Sequence, residues 1–302
     1  MEYRKLGSLD VSLVGIGCNN FGWRTDAAGT AAVVDAALDA GINFFDTADV
    51  YGGGQSEEFL GRALKGRRSK AIVATKFGIK MGEGMEGARA QYVREALDAS
   101  LQRLQSDSID LYQIHRPDPN TPIDETMQAL NDAVKAGKVR EIGCSNFSVD
   151  QMRAAHSTAG PRYFSSLQNE YSLMKREPEG DVLPECARTG VAFLPYFPLA
   201  NGLLTGKYRK GMPFPESSRG KDAFGPKVFT DENLGVVEAL IAFAESRGHS
   251  LLDLAFSWLA ARPQVCSVIA GARNAQQVRD NSVAASWKLT AAELAEVDGL
   301  VG

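Results

Sequence analysis

The sequence predicts a (β/α)8 TIM barrel with a short N-terminal hairpin and extra C-terminal helices. Three observations carry that expectation. Eight short, mostly apolar runs recur along the 302 residues, each followed by a segment of helical pattern. These runs lack the strict polar alternation of a half-exposed sheet, so they read as parallel strands covered on both faces. The first run is not followed by the glycine fingerprint of an open dinucleotide-binding sheet: after Gly15-Ile16-Gly17 come Cys18-Asn19-Asn20. Eight strand–helix units without that fingerprint favour a closed barrel over an open doubly wound sheet.

The elements follow in order. Residues 2–12 read as a hairpin turning at Gly7-Ser8-Leu9-Asp10. Ser12 to Gly17 is the first barrel strand, and the loop after it carries Phe21 and Trp23. Thr30 to Ala40 is a helix stopped by Gly41, a residue that accepts the left-handed backbone closing a helix. Asn43 to Asp46 is the second strand and ends on a carboxylate; Tyr51 and three glycines fill the next loop, before a helix from Ser56 to Leu64. Ala71 to Lys76 is the third strand and ends on a cation. Gln91 to Leu104 is an amphipathic helix with Val93, Leu97, Leu101 and Leu104 on one face. Asp110 to His115 ends on an imidazole, and Pro122 opens the helix that runs to Ala136.

Val139 to Ser145 is the fifth strand, Val149 to Ser157 a helix, and Ser166 to Glu170 the sixth strand. A helix from Val182 to Thr189 stops at Gly190, before a seventh strand from Val191 to Tyr196. The Pro-, Gly- and Lys-rich stretch from Phe197 to Thr230 is too long for a simple connection, which marks it as functional or disordered. Two helices, Glu232 to Arg247 and Leu251 to Ala261, precede the last strand, Val265 to Ile269. Helices from Asn274 to Ala285 and Thr290 to Val301 end the chain.

Composition bounds the function. With 44% hydrophobic and 23% charged residues, the chain has ordinary globular composition and enough apolar material for a large core. No linker interrupts it, and single barrels reach this length, so residues 1–302 are expected to form one domain. A net charge of −4 without a strong basic run argues against a nucleic-acid partner. No apolar run reaches the length of a membrane span and the start lacks a signal core, so the expected setting is cytoplasmic, away from membranes. The four cysteines are scattered with no C-x-x-C pair, and the three histidines are not spaced with them as zinc ligands, so free thiols and no metal are expected.

In a barrel, the C-terminal ends of all strands open at one mouth. Asp46, Lys76 and His115 would meet there, with Tyr51 just beyond the second strand. Tyr51 is the neutral proton donor of the set at pH 7, with an ordinary pKa of about 10. A nearby cation favours the phenolate and is expected to lower that value; Lys76 can supply it and Asp46 can hold Lys76 charged. His115 can donate a second hydrogen bond to a developing alkoxide. Such a set suits interconversion of a carbonyl and an alcohol, but supplies no hydride, so a cofactor is required. Each member also fits a structural role taken singly: Asp46 as a cap, Lys76 as a strand-end charge, His115 as a partner for a backbone carbonyl.

Two longer patterns make the sequence similar to the aldo-keto reductase superfamily. Gly41…Asp46-Thr47-Ala48…Tyr51-Gly52…Glu57…Leu60-Gly61 resembles its first signature, and Lys138-Val-Arg-Glu-Ile-Gly143-Cys-Ser-Asn146-Phe147 its second. Lys76 and Gln113-Ile114-His115-Arg116-Pro117-Asp118 complete the resemblance, which extends nearly end to end. It implies a catalytic tetrad of Asp46, Tyr51, Lys76 and His115 acting on aldehydes or ketones with NADPH, or with NADH. It implies further that Ser145, Asn146 and Gln168 hold the nicotinamide carboxamide and that Tyr196 stacks on its ring. Pro198, Leu199, Gly202, Leu203 and Lys207 would follow the pyrophosphate, and Gly271, Arg273, Gln277 and Asn281 the adenosine end. Where many relatives carry Ile-Pro-Lys-Ser or Ile-Pro-Gly, this chain reads Ile269-Ala270-Gly271-Ala272-Arg273. Arg273 can pair with a 2′-phosphate, which favours NADPH, though it equally fits a surface residue at a helix start. Phe21 and Trp23, with the 197–230 loop, are expected to wall the substrate pocket; Trp23 equally fits the core.

Two other readings compete. A Schiff-base lyase would use Lys76 as nucleophile, which requires a depressed amine pKa that Asp46 opposes. A nucleotide-sensing regulatory partner, like the family's channel-associated members, would keep the same four residues.

Overall fold

The computed structural model describes residues 1–158, 160, 162–214 and 225–302. Strands β1 (Tyr3–Leu6) and β2 (Leu9–Ser12) form the antiparallel hairpin. Its turn is pinned to the barrel: Ser8 N–H donates to the Glu141 carboxylate at 2.8 Å. Gly7 turns there at φ +55°, and a Cβ at that position would lie 2.6 Å from the Glu141 carboxyl carbon. Only a glycine meets both demands.

Eight parallel strands follow: β3 (Val14–Gly17), β4 (Phe44–Asp46), β5 (Ile72–Phe77), β6 (Ile109–Ile114), β7 (Val139–Ser145), β8 (Ser166–Glu170), β9 (Ala192–Tyr196) and β10 (Val268–Gly271). Their order is β10-β3-β4-β5-β6-β7-β8-β9, sequential around the ring as a barrel requires. Between β9 and β10 the ring is joined by a parallel bridge from Phe193 to Val265. Phe193 N–H donates to Gln264 O at 2.7 Å, and Cys266 N–H donates to Phe193 O at 3.1 Å. The last strand therefore differs from its expected span of Val265 to Ile269. Residues 264–266 serve the β9 side, and the ladder to β3 begins only at Val268. Staggered registry of this kind accompanies strand tilt in a closed barrel.

The helices are α1 (Ala27–Asp39), α2 (Gln55–Ala63), α3 (Ala90–Leu104), α4 (Ile123–Lys135), α5 (Val149–Thr158), α6 (Val182–Thr189), α7 (Gly225–Val228), α8 (Asp231–Glu245), α9 (Leu251–Ala260), α10 (Ala275–Ala284) and α11 (Ala291–Val301). Helix α1 starts before the expected Thr30 because Asp26 caps it, its side chain accepting from Gly29 N–H. The long 197–230 segment contains a 3₁₀ turn at Ala200–Thr205 as well as α7; residues 215–224 lie outside the described residues. None of the described helices is long and apolar enough to cross a membrane.

Period-two alternation sorts the strand residues between two cores. Val14, Ile16, Phe45, Val73, Tyr112, Ile114, Leu167 and Val268 pack outward against the helices. Phe44, Ala74, Leu111, Ala192, Leu194 and Ile269 pack on the axis with Leu6, Leu9 and Val11 of the hairpin. The hairpin thus plugs one end of the barrel with apolar side chains. The next inward layer, at the strand C-termini, is polar. All four cysteines are buried and free.

Candidate active site

Alternation turns Asp46, Lys76, Gln113 and Gln168 toward the axis, one layer above the apolar plug. Lys76 Nζ lies 2.6 Å from Asp46 Oδ2 and donates to Thr47 O at 2.8 Å. The other Asp46 oxygen accepts from Gln168 Nε2 at 2.9 Å and from Gln113 Nε2 at 3.3 Å. Asp46 is thus held on both oxygens by three strands other than its own, which fixes the direction in which Lys76 points.

Tyr51 reaches this group from a 3₁₀ turn spanning Tyr51–Gly54. Gly52, Gly53 and Gly54 all take positive φ, at 59°, 64° and 96°, and a Cβ on Gly52 would lie 3.0 Å from Phe21 O. The three glycines let the chain reverse tightly against the β3–α1 loop, which brings the Tyr51 ring over the mouth. Lys76 Nζ is 5.2 Å from the centroid of that ring. The His115 ring stands edge-on to it, with centroids 5.8 Å apart and planes at 82°. His115 Nδ1 is buried without a hydrogen-bond partner.

The protonation states follow from burial and charge. Burial disfavours the Lys76 ammonium, but Asp46 and Tyr51 together outweigh it and leave the amine pKa raised. Desolvation of the Tyr51 hydroxyl raises its pKa, and the Lys76 cation only partly offsets it. This corrects the expectation that Lys76 would bring that value down: removing the phenolate from water costs more than one already-paired cation returns. His115 is pushed down to about 2 by burial, by Lys76 and by Arg116, so its ring is neutral. The mouth therefore presents a neutral phenol, a neutral imidazole and a charged ammonium.

A cleft of about 490 Å³ opens over these residues. Asp46, Tyr51 and His115 line it, while Lys76 is wholly enclosed behind them. Ser145, Asn146, Gln168 and Tyr196 line it as well. Tyr196 OH donates to Asn146 Oδ1 at 2.8 Å, Asn146 Nδ2 donates to His115 O at 3.0 Å, and Ser145 Oγ donates to Gln168 O at 2.7 Å. The cleft continues past Pro198, Leu199, Gly202 and Lys207 to Gly271, Arg273, Gln277 and Asn281. Asn146, Phe197 and Asn201, all lining it, take left-handed backbone at φ 62°, 52° and 58°. Non-glycine residues rarely do so, and here that strain gathers at the cleft.

Three expectations are corrected. Phe21 is fully buried among Cys18, Val33 and other core side chains rather than walling the cleft. Trp23 is 65% exposed, with the Arg24 guanidinium 4.4 Å above its ring, and is absent from the cleft lining. Leu203 is also buried in the core, where it anchors the 3₁₀ turn instead of facing the cleft. Phe21 and Leu203 find more apolar contact in the core beneath the cavity than at its wall, whereas Trp23 turns out to solvent under Arg24. Sequence reasoning missed Gln113 as a partner of Asp46, although it lies two residues before His115 and alternation puts it inward. It also missed Asn19, Asn20, Arg24 and Arg116 as lining residues.

The sequence model described as the Aldo/keto reductase family matches residues 13–301. The chain is 36% identical to "Aldo-keto reductase YhdN" of Bacillus subtilis (strain 168), across 100% of this chain and 94% of that protein. It is 36% identical to a "Probable voltage-gated potassium channel subunit beta" of Oryza sativa subsp. japonica, across 93% and 90% of the two chains. Its structure is similar to that of a glycerol dehydrogenase from Gluconobacter oxydans, with a TM-score of 0.87, 33% identity, and 99% and 95% of the two chains covered.

Proposed function

Because the chain belongs to the aldo/keto reductase family, we propose that it reduces small aldehydes and ketones to alcohols with NADPH, using Tyr51 as general acid. The observation that carries this reading is the neutral Tyr51 phenol at the cleft floor, with the Lys76 ammonium 5.2 Å from its ring centroid and the neutral His115 ring at its edge.

The cleft suits a dinucleotide. At the reactive end, Ser145, Asn146 and Gln168 offer amide and hydroxyl groups for a carboxamide, and the Tyr196 ring is anchored through its hydroxyl to Asn146. Toward the other end, Lys207 and Arg273 offer cations for phosphates, with Gln277 and Asn281 beside them. Arg273 is the residue assigned to a 2′-phosphate. Gly271 keeps that wall close: a Cβ there would lie 3.0 Å from Asn20 Nδ2. A reduced nicotinamide bound in this cleft supplies the hydride.

The chain's own residues handle the proton and the charge. Tyr51 donates its phenolic proton to the substrate carbonyl oxygen as that oxygen turns negative. The Lys76 ammonium stabilises the phenolate left behind, in a site where desolvation strengthens the interaction. Asp46 keeps Lys76 charged and aimed; Gln168 and Gln113 keep Asp46 in place. His115, neutral, donates an N–H to the same oxygen and helps set the carbonyl's direction. In the oxidative direction Tyr51 takes the proton back from the alcohol.

A lyase reading is disfavoured by the same geometry, since an amine held charged by Asp46 and Thr47 O is a poor nucleophile. The likeness to the rice channel subunit favours a second reading, in which the bound dinucleotide is a regulatory signal. The test is loss of reduced-nicotinamide absorbance across a panel of aldehydes, ketones, quinones and sugars. Carbonyl-dependent turnover is expected. Tight dinucleotide binding with no turnover on any carbonyl would leave the regulatory reading.

A further inference from the structure

Among the described residues, four cationic side chains line the cleft: Arg24, Arg116, Lys207 and Arg273. Three have a use in the account above or contacts of their own. Arg24 stacks on Trp23, Lys207 lies 5.1 Å from the Tyr208 ring centroid, and Arg273 stands beside Gln277 and Asn281. Arg116 has none. It follows His115 directly, its side chain is exposed, and it makes no hydrogen bond or ion pair with any described residue.

Three described carboxylates that line the two cavities are committed elsewhere. Asp46 is held by Lys76, and Asp280 accepts from Gln276 Nε2 at 2.7 Å. Asp118, two residues from Arg116, accepts from Ala88 N–H at 2.8 Å, Asn120 N–H at 2.9 Å and Thr121 Oγ at 2.7 Å. Among the described residues, no carboxylate is hydrogen-bonded or ion-paired to Arg116, and Glu170 is the other charge that acts on the nearby Tyr196 ring. The Arg116 charge is also felt at the reactive end, where it lowers the pKa of His115 and opposes the rise at Tyr196. Arg116 and Asn146 form the wall between the cleft and a second cavity of about 500 Å³, which Pro117, Phe147 and Gln151 help to line. A guanidinium placed there can turn its planar fork toward a molecule extending out of the cleft.

We propose that Arg116 is a substrate-specificity residue that binds the carboxylate or phosphate of a short aldehyde whose carbonyl oxygen reaches Tyr51 and His115. This rests on the reductase reading and narrows its substrate class to anionic carbonyl compounds. Bidentate pairing suits either anion, because both present two oxygens at the spacing of the guanidinium N–H groups.

The test compares matched pairs of substrates: succinic semialdehyde against butanal for the carboxylate, and glyceraldehyde 3-phosphate against glyceraldehyde for the phosphate. The readout is the ratio of kcat/KM for the charged member over the neutral one. The wild-type ratio is expected to exceed one in at least one pair, and the pair with the larger ratio identifies the anion. Arg116→Ala is expected to reduce that ratio about tenfold or more, chiefly through KM for the charged aldehyde, and Arg116→Lys to restore part of it. An unchanged ratio, or a uniform loss for both members as expected if Arg116 acted only through His115, would overturn the proposal. So would a rise in KM confined to NADPH, which would make Arg116 a cofactor contact. Turnover of neutral aldehydes with no advantage for charged ones defeats this proposal and leaves the reductase reading standing. No turnover on any aldehyde defeats both.

Discussion

The Lys76 ammonium and the Asp46 carboxylate lie 2.6 Å apart with side-chain exposures of 0% and 5%. Little water reaches either charge, so each depends chiefly on the other, with Thr47 O, Gln113 and Gln168 completing the contacts. Asp46→Asn or Lys76→Met should therefore destabilise the fold by about 3–5 kcal/mol, because each leaves an uncompensated buried charge. The double variant should recover part of that loss. Denaturant unfolding of the three variants measures it; additive losses would contradict the coupling.

Tyr51→Phe removes one hydroxyl from the cleft floor and keeps the ring. Carbonyl reduction should fall by about 10² or more, while dinucleotide affinity, read from quenching of protein fluorescence, should hold. Wild-type rates in this variant would remove Tyr51 from the assigned role.

Arg273→Ala should weaken NADPH binding more than NADH binding, since only the former carries the phosphate that a guanidinium pairs with. Titration calorimetry with both dinucleotides separates the cases. Equal losses would place the 2′-phosphate elsewhere.

The Asp49 carboxyl is buried, and burial with the Glu57 charge raises its pKa to about 7, outweighing the Val50 N–H and the Arg103 and Lys76 cations. Its unfolded value is about 3.9. Between those values the folded chain holds the proton that the unfolded chain has lost, so stability falls as pH rises across this window. His115 acts with the opposite sign: neutral when folded down to about 2, it lets the unfolded chain gain protons below about 6.5, and stability falls as pH drops. The two effects offset each other between about pH 4 and 6.5, so Asp49→Asn should leave the His115 effect alone and make stability fall more steeply as pH drops across that range. Unfolding midpoints from pH 4 to pH 8, about the span set by these values, check this. A variant whose pH profile matched the wild type would show that Asp49 does not carry the buried proton.

Much of the architecture was legible along the chain. Apolar runs ending at Asp46, Lys76 and His115 located three strands and their C-terminal ends, and Gly41 and Gly190 marked where helices stop. The three glycines after Tyr51 marked the loop beyond the second strand. These signals are local: each follows from hydrophobic period, capping or backbone freedom within a few residues.

What tertiary structure alone decided was which side chains meet, and in what charge state. Alternation puts Gln113 and Gln168 inward, but only the order and stagger of β4, β6 and β8 bring their amides onto Asp46 Oδ1. The sequence shows a cation near Tyr51; it does not show how far the hydroxyl is taken from water, and that desolvation sets the direction of its shift. Phe21 and Trp23 stand two residues apart in one loop, yet one is enclosed and the other exposed. The neighbours that decide this arrive from distant parts of the chain, and burial energy depends on all of them at once.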